Sequence, residues 1–385
     1  MSSTITSSSF PADVCYMVAD LKYSAAQGVK ICEVQQASLS LFNGDSFRNP
    51  LEESIHKELL RVLSLYNKTG WIVADGITDK KLVASLMSSS SWHSHPDLIS
   101  LFSDSNFIHQ SRLPVKDVHQ IGSYQGFLYC NWSQLSVISD FETRIPSMLV
   151  MDKSSFPFWI DKYLMTQLFA EDEVLTTLKP KWGSYKKIYT PQLADHIAHD
   201  LGCDTFVIKP RGQFLGKGVI ITQNQDLDEV LRYIITKEGK LAESEDSAHT
   251  AWKNDPFDSF IVEEFVVSDI IKMPHLENKS YQPTMRVAFL LTYEKSHHDV
   301  HFLGEYWKTP AVSIDEVGNF MDKNKDICEP PYYLAVDAKT KHIVQDKLRT
   351  ALPALHSKMM EFSNSFDHFY APTHNGAQIL LEELK

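Results

Sequence analysis

Cysteine is scarce in this chain, with five in 385 residues, at Cys15, Cys32, Cys130, Cys203 and Cys328. No two stand in the C-x-x-C spacing of a zinc or redox site, and an odd count argues against a complete disulfide framework. Free, buried thiols in a reducing compartment are therefore expected. Also missing is any uninterrupted apolar run approaching the ~18 residues of a membrane helix. A basic surplus is absent too: 37 Lys and Arg face 49 Asp and Glu, for a net charge of -12. That balance excludes a general nucleic-acid binder, whose affinity needs a basic surface. It leaves room for a local basic pocket around a small anion. Gly 15 and Pro 17 are too few for a fibrous or low-complexity protein. The stretch 1–9 is rich in Ser and Thr and lacks the basic and apolar parts of a secretory signal. A short disordered tail over 1–12 and a cytoplasmic setting are the expectations.

What is present is a globular composition, 43% apolar and 22% charged, long enough for two or three domains. In the first 150 residues short apolar runs at 14–19, 71–76, 126–131 and 147–151 read as strands, and 77–87 as a helix. Strand followed by helix suggests an open α/β domain over 13–150. From about 152 the signals sharpen. Helices are expected at 159–169 and 191–201, then a strand Thr205-Phe206-Val207-Ile208-Lys209-Pro210. A loop with Gly212, Gly216 and Gly218 leads into a second strand at 219–222. Asp226 is expected to cap a helix running to Ile234. Residues 236–258 are polar and acidic and read as a mobile loop. Strands are expected at 259–267 and 284–292, with a terminal hairpin over 366–385 turning at Thr373-His374-Asn375-Gly376. His297, His298, Asp299 and His301 read as a polar turn rather than a metal site.

The hairpin at 206–222 is where chemistry first shows. Glycines let backbone N–H groups close on a ligand, because they tolerate positive φ and carry no side chain. Lys209 and Lys217 flank the loop, with Arg211 between them, an arrangement suited to a polyphosphate. The pattern is not the Walker loop, which needs G-x-x-x-x-G-K-[ST] between a strand and a helix. Here Gly218 follows Lys217, and a strand comes next.

The run Phe-Val-Ile-Lys-Pro-Arg-Gly-Gln-Phe-Leu-Gly-Lys-Gly-Val resembles the lysine strand and glycine-rich flap of the ATP-grasp superfamily. Ile160-Asp161-Lys162 is similar to the Asp-Lys that opens that family's ATP module, and Phe260-Ile261-Val262-Glu263-Glu264-Phe265-Val266 to its adenine hinge strand. Met285-Arg286-Val287 resembles the arginine strand of the phosphate site, and Leu380-Leu381-Glu382 the metal-binding end. The likeness covers about 150–385 and is shared by tubulin-tyrosine-ligase-like and D-alanine-D-alanine-ligase-like enzymes. It implies a two-lobed ATP-grasp module over 151–385, with a small lid lobe at 206–268, behind the N-terminal α/β domain.

The resemblance also implies roles. Lys162 and Lys209 would contact ATP phosphates, and Gly216, Lys217 and Gly218 would cover them as a lid. Backbone groups of Glu263, Glu264, Phe265 and Val266 would hold adenine, and Glu263 or Asp269 the ribose. Arg286 would neutralise the transferred phosphoryl group, and Lys308 would sit near the acyl substrate. Mg²⁺ takes oxygen ligands, which in the family come from an acid on one hairpin strand and Glu-x-Asn on the next. Glu382 suits the glutamate, but Leu384 stands at the asparagine. Phe369 takes the position of the first acid, so Asp367 serves only if the hairpin shifts. The expected activity is ATP-dependent joining of a carboxylate to an amine through an acyl phosphate, with no nucleic-acid or membrane partner. A non-catalytic nucleotide-binding protein and an ATP-grasp kinase are the alternatives.

Overall fold

The computed structural model describes residues 13–36, 50–64, 69–72, 92–93, 126–129, 148–151, 158, 161–213, 216–294, 297–327 and 331–366. Helices combine with mainly antiparallel sheets in an α+β architecture. The chain opens with a hairpin of β1 (Asp13–Ser24) and β2 (Gly28–Gln36). Along β1 the side chains alternate between faces. Cys15, Met17, Ala19 and Leu21 enter the main core, whereas Asp20 takes the other face.

β1 is the strand on which the large sheet is organised. From Val14 to Leu21 one of its edges pairs with β13 (Thr284–Glu294), which continues to β14 (His297–Lys308) and β15 (Tyr333–Ala335). Its other edge pairs briefly with β6 (Met148–Met151) and then with β2. Beyond β6 lie β5 (Gly126–Tyr129), β3 (Thr69–Ile72) and β4 (Trp92–His93), all parallel. The first strand, expected in an N-terminal domain, is thus hydrogen-bonded into the second half of the chain. Helices α2 (Lys162–Ala170) and α3 (Glu173–Leu178) and the long α6 (Ala338–Phe366) pack on the core face. α1 (Pro50–Ser64) lies against β14.

A second sheet, ordered β7-β10-β8-β9, is built from β7 (Trp182–Lys186), β8 (Thr205–Pro210), β9 (Ile220–Gln223) and β10 (Ser259–Glu264). α4 (Leu193–Leu201) and α5 (Asn224–Thr236) bury its core face. In α5 the buried Leu227, Val230, Leu231 and Ile234 fall at helical spacing and form one stripe. α5 starts two residues before Asp226, so Asp226 is no cap; it lies in the first turn, at the positive end of the helix dipole. A small hairpin of β11 (Ile271–Met273) and β12 (Lys279–Tyr281) follows.

Two further expectations are corrected. Residues 236–258 contain helical turns at Lys240–Glu243, Ser247–Thr250 and Ala251–Asn254, anchored by the fully buried Trp252. The Trp252 indole N–H donates to Gly218 O at 2.8 Å, and that buried area outweighs the segment's polarity. His297, His298, Asp299 and His301 lie on β14, where pairing with β13 continues to Glu294. The helix expected at 77–87 falls outside the described residues, as does the hairpin expected over 366–385 apart from Phe366, which ends α6. Among the described residues no helix is long and apolar enough to cross a membrane.

His356 on α6 gives the core a measurable pH dependence. It is fully buried, with Nε2 3.3 Å from Cys15 Sγ and its ring 5.4 Å from that of His298. Burial, with a smaller contribution from His298, pushes its pKa from 6.5 down to about 3. The unfolded chain binds this proton near pH 6.5, so the contribution is complete above 6.5 and lost as pH falls towards 3. Unfolding free energies from urea titrations over that window should fall by up to about 1.4 kcal/mol per pH unit more in the wild type than in His356→Gln.

Candidate functional site

Charged side chains collect where the β1–β2 hairpin, the start of α2 and the cleft-facing side of the second sheet meet. Asp20 stands directly opposite Glu33 on β2 and directly opposite Arg286 on β13. Side chains opposed across an antiparallel pair share a face at about 5 Å. Arg286 grips Asp20 in a fork, Nε to Oδ1 and Nη2 to Oδ2, both at 2.8 Å. Lys308, two residues beyond Tyr306 on β14, adds its Nζ at 2.8 Å from Asp20 Oδ2. Burial works against the ionised form of Asp20, but the Arg286 and Lys308 charges outweigh it and hold the carboxyl well below the usual range. Glu33 is bound by Lys162 Nζ at 2.9 Å, which likewise overcomes burial and lowers its pKa.

The second half of the cluster comes from β8 and β10. Lys209 and Glu263 are diagonal neighbours on those strands, and the Lys209 Nζ lies 2.6 Å from Glu263 Oε2. Lys179, just after α3, takes the other oxygen at 2.7 Å. All three are almost fully buried. Burial favours neutral Lys179 and lowers its pKa despite Glu263; for Lys209 the Glu263 and neighbouring charges win and raise it. For Glu263 burial is overcome by the two lysines, and its pKa falls.

A bulge joins the two halves. Consecutive residues Asp20 and Leu21 pair with Glu33 and Ile31, leaving Cys32 as the extra residue of β2. Cys32 O accepts from both Lys179 Nζ and Lys209 Nζ at 3.2 Å. Glu33, Gln35, Lys162, Lys179, Lys209 and Glu263 line one cavity, with Phe158 and Phe169 among its apolar wall.

Of the residues expected from sequence, the structure therefore brings Lys162, Lys209, Glu263, Arg286 and Lys308 into one connected cluster. Gly216 and Gly218 have φ of 72° and 76°, the left-handed region that favours glycine, and Lys217 between them is exposed. A Cβ on Gly218 would meet Pro210 at 2.6 Å. Glu264 accepts from the Lys181 N–H, and Phe265 packs its ring on Phe320. Val266 is buried. Asp269 accepts from Ala25 N at 2.8 Å and so ties the end of the hinge to the β1–β2 turn. Asp367 and Glu382 lie outside the described residues.

Arg211, grouped in sequence with the flanking lysines, is committed elsewhere. Its guanidinium pairs with the Asp161 carboxylate, donates to Ser259 Oγ and stacks between the Tyr163 and Phe257 rings. Asp161 also caps α2 by accepting from Tyr163 N, which holds Lys162 at the mouth of the cavity.

Sequence reasoning missed Asp20, Glu33 and Lys179. Yet the signal was present: an acid on one strand, a turn at Ala25–Gly28, then Glu33-x-Gln35 on the next strand. Glu33 and Gln35 share a face of β2. Asp20 is taken up by Arg286 and Lys308, so Glu33 and Gln35 are the oxygen donors left facing the cavity, of the kind Mg²⁺ accepts with phosphate oxygens and water completing the set. Among the described residues no group of three or more His, Cys, Asp and Glu could hold a metal ion.

No family model matches the sequence, and no curated protein matches it. Three solved structures share its outline distantly. One is named as a gamma-glutamylcysteine synthetase from Methylobacillus flagellatus, at TM-score 0.44 and 9% identity, covering 93% of this chain and 90% of that one. A D-cycloserine synthetase follows at 0.36 and 12%, covering 75% and 81%. A D-alanine-D-alanine ligase from Coxiella burnetii follows at 0.28 and 8%, covering 78% and 99%. At these scores the likeness carries no weight of its own, and the functional argument rests on the side chains.

Removing Glu263 would leave two buried ammonium groups without their carboxylate. Glu263→Ala should lower stability by about 3–5 kcal/mol in urea unfolding. Glu264→Ala, which loses one bond to a backbone N–H, should cost about 1 kcal/mol.

Proposed function

We propose that the chain is an ATP-dependent ligase that joins a carboxylate to an amine, with Mg²⁺. The observation that carries this reading is the Asp20–Glu33 pair, backed by Arg286, Lys308 and Lys162 and continuous with Lys209. A cluster dense in cations around two opposed carboxylates suits a polyphosphate bound with a divalent metal. The motif resemblance to the ATP-grasp superfamily supports the same assignment.

In this reading Lys162 and Lys209 bind the phosphates, while the loop of Gly216, Lys217 and Gly218 excludes water above them. Backbone groups of Glu264 to Val266 hold the adenine. Because Glu263 is engaged by two lysines, Asp269 is the carboxylate assigned to the ribose hydroxyls. Asp20 is likewise engaged by Arg286 and Lys308, so Glu33 and Gln35 on the cavity wall are the residues that would hold Mg²⁺, which would supply neutralisation of the phosphate oxygens. Arg286 and Lys308 meet the charge that develops as the γ-phosphoryl group passes to the substrate carboxylate. The neutral amine then attacks the acyl carbon: the C–N bond forms, the C–O bond to phosphate breaks, phosphate leaves with the electron pair, and the proton lost by the amine nitrogen passes to phosphate or water. The departure at Leu384 that favoured a non-catalytic protein does not bear on a site built from β1 and β2.

ADP release from ATP, screened against amino acids and peptides, should require Mg²⁺ and drop about 100-fold or more in Glu33→Gln. Metal-free ATP binding measured by calorimetry should stay within a few-fold. Full turnover in Glu33→Gln would sink the assignment. Mass spectrometry of the product separates the ligase, which gives an amide, from a kinase, which gives a phosphate ester.

A further inference from the structure

Lys179 and Lys209 keep hydrogen-bond donors that their protein partners do not use. An ammonium group carries three N–H bonds and no acceptor. Each of these two spends one on Glu263, at 2.7 Å and 2.6 Å, and one on Cys32 O, both at 3.2 Å. The third N–H of each has no hydrogen-bond partner among the described residues. The Phe169 ring, 5.8 Å from Lys179 Nζ, attracts the charge but takes up no ordinary hydrogen bond.

Charge is unbalanced in the same place. Two cations share one carboxylate, and all three groups are almost fully buried. Burial, and the Lys209 charge beside it, lower the Lys179 pKa although Glu263 opposes them. A trio with a positive charge to spare and two unspent N–H donors lacks an anion. Water would satisfy the donors and leave the charge. Glu263 does not bar a second anion, because its own charge is met by both lysines.

Geometry sets the size of that anion. Glu263 bridges the two nitrogens with its two oxygens, so a group as small as a carboxylate spans them. Both lysines line the cavity, and Glu33 and Lys162 on the same wall are only partly buried, so the cavity opens to solvent.

We infer that Lys179 and Lys209 together form an oxyanion site, in which each donates its remaining N–H to one phosphate or carboxylate group that enters from the cavity. Both groups offer what the site needs, two or more oxygens and a negative charge. The ligase reading supplies both, as nucleotide phosphate and as substrate carboxylate, and the site rests on that reading only for the source of the anion. It gives Lys179 a role in binding, beyond that of a counter-ion to Glu263.

Calorimetry on the whole chain, with pyrophosphate, acetate and ADP as separate probes, tests the site. Pyrophosphate or acetate should bind the wild type. Its affinity should fall about tenfold or more in Lys179→Met, where Lys209 is left to pair with Glu263. A loss shared by pyrophosphate and ADP makes the anion a nucleotide phosphate, and a loss confined to acetate makes it the substrate carboxylate. Equal affinity of Lys179→Met for every probe that the wild type binds, or a wild type that binds none, would overturn the site. A wild type that binds pyrophosphate or acetate through Lys179 but binds neither ADP nor ATP would instead overturn the ligase reading. If Lys179→Met fails to fold, shown by its melting curve, a crystal structure of the wild type grown with pyrophosphate decides. Oxygens of one bound group within hydrogen-bond reach of both Nζ atoms support the site, and their absence overturns it.

Discussion

The Asp20 carboxylate, gripped by Arg286 and Lys308, is the interaction on which the arrangement depends. It is buried, and a buried charge without partners is prohibitive. The pairing therefore fixes three strands at once: β1, which carries the acid, and β13 and β14, which carry the cations. It also fixes where Glu33 stands, because Glu33 is the residue opposite Asp20 across the hairpin. A one-residue slip of β1 would turn Asp20 into the apolar core and Leu21 out to the site.

The same logic runs through the other half of the cleft. Glu263 sits between Lys179 and Lys209, and the Cys32 carbonyl, freed by the bulge, accepts from both lysines. Each carboxylate is thus held by cations from elements distant in the chain. Within such a network the acids and Lys209 are favoured in their charged forms in a partly dry place, where charge acts on a ligand far more strongly than in water. The cleft is preorganised, since the cations are fixed by structural acids.

Much of the stretch from Asp161 to Glu264 was readable from local pattern. The strand ending at Lys209-Pro210, the Asp161-Lys162 start of α2 and the strand carrying Glu263 obey rules of spacing and capping that act within a few residues. The glycine loop was legible too, since Gly216 and Gly218 adopt φ values that other residues avoid. Failures came where burial overrode polarity or pairing crossed long separations. The acidic run at 236–258 is held by one tryptophan, and the histidines after Glu294 continue a strand because β13 pairs with them. Arg211 looked like a phosphate ligand only because its partner Asp161 lies fifty residues away in sequence.

By itself the sequence determined the local elements and the lysine-bearing strands, because alternation and turn chemistry are short-range properties. Tertiary structure alone decided that the opening hairpin brings Asp20 and Glu33 to Arg286, Lys308 and Lys162. Asp20 meets Arg286 across 266 residues of chain, and no periodicity reports such a contact. The choice follows from register and from charge: once β1 lies between β2 and β13, Asp20 must be paired, and Arg286 and Lys308 are the cations within reach.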